Sequence, residues 1–69
     1  MENNTILAID PGYDRCGVAL ITNRTLTQSW CIQTSKQDTH PKRLAHIYET
    51  LRSLIEEYHP THIALETLF

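Results

Sequence analysis

Apolar positions follow three different rhythms along the chain, and each predicts a different element. Thr5-Ile6-Leu7-Ala8-Ile9 is an almost unbroken apolar run that stops at Asp10-Pro11-Gly12, the pattern of a strand buried on both faces and ended by a turn. Pro11 sets φ for the second turn position and Gly12 tolerates a positive φ at the third, so a type II turn is expected. Gly17-Val18-Ala19-Leu20-Ile21-Thr22 reads as a second strand and Asn23-Arg24 as a hairpin connection. Leu26 to Thr34 reads as a third strand, with Leu26, Gln28, Trp30 and Ile32 in rough alternation. The three form an antiparallel meander.

Beyond the polar stretch Ser35-Lys36-Gln37-Asp38-Thr39 the period changes. Leu44, Ile47, Tyr48, Leu51, Leu54, Ile55 and Tyr58 fall on one helical stripe. Thr39 or His40 can cap this helix, Pro41 suits its first turn, and Pro60 stops it. Arg52 and Glu56 lie four apart on its polar side, a solvated ion pair of small value. Thr61-His62-Ile63-Ala64-Leu65-Glu66 is a second buried-strand run, reached through a helix as parallel neighbours are. The order β-β-β-α-β specifies an α/β chain with a mixed sheet and one crossover helix. No internal repeat or second domain is visible.

Composition narrows the class. Sixty-nine residues that are 41% hydrophobic and 20% charged, with two Gly and three Pro, describe a globular chain, one domain or part of one. The first residues, Met1-Glu2-Asn3-Asn4-Thr5, do not resemble a secretory signal, and no apolar run approaches the roughly 20 residues needed to span a bilayer. Cys16 and Cys31 are therefore expected as reduced thiols in a cytoplasmic chain without membrane contact. The net charge is −2, and the basic residues Arg15, Arg24, Lys36, Lys42, Arg43 and Arg52 are scattered, so charge alone argues mildly against DNA.

The first and last strands each end in a carboxylate, Asp10 and Glu66. A right-handed crossover making those strands parallel neighbours brings both acids to the C-terminal edge of the sheet, where open α/β sheets place their sites. Two carboxylates there repel unless a proton or cation lies between them, and their hard oxygens suit Mg²⁺ or Mn²⁺. Metal-assisted phosphodiester hydrolysis is the chemistry most consistent with such a pair. By spacing alone, Asp10 serves equally as a turn residue accepting backbone hydrogen bonds. Glu66, set among Ile63, Ala64, Leu65 and Leu68, is expected to be desolvated and so to need a partner. Asp14 reads as a solvated loop carboxylate, and Trp30 and Tyr48 read as core aromatics. His40, His46, His59 and His62 show no helical metal-ligand spacing, and His59 suits a helix C-terminus.

Ile9-Asp10-Pro11-Gly12, Gly17-Val18-Ala19, the helix with Arg43-Leu44, Ile47, Leu51, Ile55 and Tyr58, then Pro60 and Ala64-Leu65-Glu66-Thr67-Leu68-Phe69 together resemble the opening of the RuvC family of bacterial crossover-junction endodeoxyribonucleases. The resemblance covers nearly the whole chain but less than half of the family's domain. It implies that residues 1–69 are the N-terminal β-β-β-α-β portion of an RNase H-like fold, lacking the C-terminal helices and strand. It further implies a metal-dependent endonuclease resolving four-way junction DNA in recombination and repair, with Mg²⁺ or Mn²⁺ as cofactor. Asp10 and Glu66 then carry over as catalytic metal ligands. Phe69 carries over as a DNA-contact residue that disturbs base stacking, against the alternative of a core Phe under a missing helix. Where the family commonly has Thr, this chain has Cys16, a small residue expected to be partly buried. The family's further acids, dimer elements and DNA-contacting basic residues lie beyond the matched region, so little or no turnover is expected from the isolated chain.

The sequence also admits three other readings: a related RNase H-like resolvase or RNA-processing nuclease, a non-catalytic RNase H-like fragment, and an actin-like ATPase-type hairpin that binds phosphate. The last fits the acid after Ala64-Leu65 less well. An uncovered sheet face and a free edge strand also predict self-association.

Overall fold

A computed structural model of the chain describes residues 4–66. Its elements are β1 (Thr5–Asp10), β2 (Arg15–Thr22), β3 (Thr25–Gln33), α1 (His40–Tyr58) and β4 (His62–Leu65). They form one mixed sheet in the order β3-β2-β1-β4. β1 pairs antiparallel with β2, β2 antiparallel with β3, and β1 parallel with β4.

Local chemistry explains the meander. Asn23 and Arg24 adopt φ of 50° and 69°, and two consecutive left-handed residues produce the tight connection whose twist matches the flanking strands. A register shift between Leu20 and Ile21 then accommodates an irregularity in the β2–β3 ladder. The turn after Asp10 differs from the type II geometry that Pro11-Gly12 suggests, because Gly12 does not have a positive φ. Glycine is needed there for space: a Cβ on Gly12 would stand 2.1 Å from the carbonyl oxygen of Arg15.

One face of the sheet carries the core. Leu7 and Ile9 of β1, Cys16, Val18 and Leu20 of β2 and Ile32 of β3 are buried with Leu54 of α1. Ile47, Leu51, Ile55, Tyr58 and Trp30 pack against that cluster, so the helical stripe largely does what its period requires. Trp30 and Tyr58 meet at 5.5 Å between ring centroids. Two stripe residues depart from expectation: Leu44 is 48% exposed and Tyr48 is 63% exposed, so Tyr48 is not a core aromatic. Both lie at the margin of the stripe. His59 closes the helix in the left-handed region at φ 47°, its N–H donating to the Ile55 carbonyl.

The other face is uncovered among the described residues. Ile6 and Ala8 are therefore only half-buried despite reading as interior positions. For the same reason β4, whose sequence reads as a doubly buried strand, is exposed along its whole length: it is the edge strand beyond β1, and α1 does not cover it.

Candidate functional site

The parallel register of β1 and β4 determines where the two strand-ending acids stand. Ile9 lies opposite Leu65, and the Glu66 N–H donates to the Ile9 carbonyl at 3.0 Å. Asp10, the last residue of β1, and Glu66, the first beyond β4, are thus neighbours across adjacent strands, which run about 4.8 Å apart. Side chains alternate along a strand. Because Leu7 and Ile9 face α1, Asp10 faces the open side with Ala8. Glu66 shares that side with Ala64. Both acids border an open depression of about 510 Å³ whose floor includes Ala8, Gly17, Ala19 and Ala64. Gly17 pairs with Asp10, and a Cβ placed on it would lie 3.7 Å from the Asp10 Cβ, so the two residues share that face.

Both carboxylates are exposed. The expected desolvation of Glu66 does not occur in this chain, since neither the edge position of β4 nor the uncovered face removes it from water. Two carboxylates on one face present four hard oxygens, a donor type that fits a divalent cation of the Mg²⁺ or Mn²⁺ kind. Among the described residues no third His, Cys, Asp or Glu joins them. Phe69 lies outside the described residues.

Behind the acids, a buried arginine holds the β1–β2 loop. Arg43, in the first turns of α1, is 8% exposed. Its guanidinium lies 3.8 Å from the centroid of the Tyr13 ring, donates from Nε to Thr34 Oγ1 at 2.9 Å, and pairs through Nη2 with Asp14 Oδ1. Thr34 Oγ1 in turn donates to the Tyr13 carbonyl at 2.9 Å, and Tyr13 Oη lies 2.7 Å from His40 Nδ1. The loop that follows Asp10 is therefore tied to the end of β3 and the start of α1. Asp14, expected as a solvated carboxylate, is an ion-pair partner instead. The sequence signal for Arg43 was its position four residues before Ile47 and eight before Leu51, on the apolar stripe itself. Cys16 is buried rather than partly buried, at 2% exposed. Burial pushes its thiol above the ordinary value of 9.0, opposed by a backbone hydrogen bond from Gly12 and assisted by the Asp10 charge. His62 hydrogen-bonds with Thr61 Oγ1, not with His59.

The chain resembles known proteins along almost its entire length. Residues 6–69 match the family model described as crossover junction endodeoxyribonuclease RuvC. The Petrotoga mobilis crossover junction endodeoxyribonuclease RuvC is 46% identical over 68 residues, covering 93% of this chain and 42% of that protein. Its Cytophaga hutchinsonii counterpart is 43% identical over 68 residues, covering 93% of this chain and 34% of that protein. The chain thus spans less than half the length of these curated relatives. In three dimensions it matches T. thermophilus RuvC in complex with Holliday junction substrate with a TM-score of 0.85 at 20% identity, covering 96% of this chain and 43% of that one. That likeness identifies the fold as RNase H-like, and these matches do not favour the actin-like reading. Strand order, helix placement and a family match running from β1 through the end of the chain agree: this chain belongs to the RuvC family of crossover junction endodeoxyribonucleases.

Proposed function

We propose that residues 1–69 form the N-terminal part of one RNase H-like nuclease domain, belonging to a metal-dependent endonuclease that cuts four-way DNA junctions in recombination and repair. The supporting observation is the juxtaposition of Asp10 and Glu66 on neighbouring parallel strands and one open face, in a chain of this family.

Asp10 and Glu66 would hold Mg²⁺ or Mn²⁺ between them. Bound there, a divalent ion supplies Lewis-acid stabilisation of a phosphoryl oxygen and lowers the pKa of coordinated water. The chain's own residues do the positioning. β1 and β4 fix the spacing of the two carboxylates through the ladder that ends at the Glu66 N–H. Ala8, Gly17, Ala19 and Ala64 keep the floor between the acids and β2 low, so a nucleic-acid backbone can approach the acids. A two-ion site requires more anionic ligands than two carboxylates provide, which is why the isolated chain is expected to turn over little or nothing. Phe69 is proposed to contact DNA by stacking on an unpaired base. The exposed Ile63 and Leu65 on edge strand β4 favour self-association, which sedimentation at micromolar concentration measures; a clean monomer would count against it. No described helix is long and apolar enough to cross a membrane, and a cytoplasmic location is consistent with action on DNA.

The test replaces the corresponding N-terminal segment of the Petrotoga mobilis relative with this chain and assays cleavage of a synthetic four-way junction in Mg²⁺. The chimera is expected to cleave, and Asp10→Asn and Glu66→Gln are each expected to abolish it. A folded Asp10→Asn or Glu66→Gln chimera that cleaves like its parent would overturn the assignment.

A further inference from the structure

Basic residues that are scattered in sequence converge in space. β1 ends, β2 begins, β3 ends and α1 begins at the same edge of the sheet. Outside the Asp10–Glu66 pair, that edge carries Arg15, Lys36, Lys42 and Arg43 against Asp14 and Asp38. Arg43 and Asp14 neutralise one another. Arg15 and Lys36 are exposed and enter no ion pair among the described residues. Together with Gln33, Thr34 and Asp14 they line a recess of about 280 Å³.

Strand parity ties the Arg15 side of this recess to the acids. Arg15 and Gly17 alternate with buried Cys16 and so share a face of β2, and Gly17 is the partner of Asp10. Gly17 has no side chain, leaving open surface between the Arg15 position and the Asp10 carboxylate. An extended strand covers about 6.6 Å in two residues, close to the spacing of successive phosphates along a nucleic-acid strand. We propose that Arg15 and Lys36 form a phosphate-binding seat that holds the DNA backbone on the acid-bearing face, one to two nucleotides from the bond addressed at Asp10 and Glu66. Arg15 suits this role because its planar guanidinium can engage two phosphate oxygens, while Lys36 supplies a mobile point charge from the β3–α1 loop. Polar side chains of Gln33 and Thr34 frame the recess without adding charge. The seat deepens the nuclease reading above and rests on it.

The experiment measures binding of this chain to a fluorescently labelled four-way junction by anisotropy across a range of NaCl, without divalent cation, so that it does not depend on the metal pair. Each phosphate neutralised contributes about 0.9 to the slope of log K against log salt. Arg15→Gln and Lys36→Gln are each expected to lower the slope by that amount. The double variant should lower it by about 1.8, so that K falls about twelvefold less than the parent's between about 50 and 200 mM NaCl. Arg24→Gln/Arg52→Gln removes the same charge from the far end of β2–β3 and the outer side of α1, and should leave the slope near that of the parent. Circular dichroism checks that all variants are folded. A slope unchanged in the Arg15/Lys36 variant, an equal loss in the Arg24/Arg52 variant, or no salt-dependent binding by the parent overturns the seat. None of these outcomes affects metal binding at Asp10 and Glu66, which a Mn²⁺ titration reads separately.

Discussion

Arg43→Ala is expected to remove most of the stability of this chain while Asp14→Ala removes little, although the two side chains form an ion pair. The asymmetry follows from what each touches. The Arg43 guanidinium sits over the Tyr13 ring at 3.8 Å with the residue 8% exposed, and such a desolvated cation–π contact is worth about 1–2 kcal/mol. Its hydrogen bond to Thr34 at 2.9 Å adds about 1 kcal/mol. The Asp14 side chain is 57% exposed, so solvent screening holds the ion-pair contribution to about 0.5 kcal/mol. Because the three share one side chain and are not additive, the loss on Arg43→Ala is about 2–3 kcal/mol. A chain this small has roughly 3–5 kcal/mol in total. Asp14→Ala should cost under about 1 kcal/mol, and Arg43→Lys, which keeps charge but loses the planar fork, should fall between. Equilibrium urea unfolding followed by ellipticity and Trp30 fluorescence measures all three. A cost for Arg43→Ala below about 0.5 kcal/mol, or equal costs for Arg43→Ala and Asp14→Ala, would show that the Tyr13 and Thr34 contacts do not hold the loop.

Other expectations follow from single positions. Cys16 is held above its ordinary value of 9.0 by burial, so the folded chain keeps this proton where the unfolded chain releases it. Its stabilising contribution is full below that pH and declines as pH rises beyond it; urea midpoints through the alkaline range should fall more steeply for the parent than for Cys16→Ala. Gly12→Ala would place a Cβ 2.1 Å from the Arg15 carbonyl oxygen and should cost about 1–3 kcal/mol in thermal or urea unfolding, because backbone must move. Arg24, at φ 69°, spends the folded state in a region disfavoured for side chains, so Arg24→Gly should stabilise by about 0.5–1 kcal/mol in the same assay. Leu7→Ala, at a site 0% exposed, should cost about 2–5 kcal/mol and leave the chain largely unfolded by circular dichroism.

Periodicity made the topology legible. The apolar run before Asp10 marks a strand without separating its faces, the alternation around Trp30 and most of the stripe from Leu44 to Tyr58 mark the side that meets the core, and the observed strand boundaries fall within two residues of those patterns. Burial was less legible. Ile63, Leu65 and Ala64 are apolar enough for an interior strand, yet β4 is exposed, because what covers a residue depends on neighbouring elements and not on the residue. The same cause exposes Glu66. Asp10 and Glu66 could be paired from sequence because strand ends and crossover rules are local statements. Arg43 escaped because a charged residue on an apolar stripe reads as a helix-surface residue until Tyr13 and Thr34 are brought against it. Arg15 and Lys36 escaped because 21 positions separate them in the chain, and only the meander brings them to one recess.

In the proposed function Asp10 and Glu66 act together on one divalent cation. Titrating the isotopically labelled chain with Mn²⁺ and following amide signals by NMR tests it directly, since a paramagnetic ion broadens the signals nearest to it. Broadening is expected to centre on Asp10, Gly17 and Glu66, which share one face at the strand ends, and to be lost in both Asp10→Asn and Glu66→Gln. Broadening centred instead on the helical acids Glu49, Glu56 and Glu57, or persisting unchanged in either variant, would contradict it.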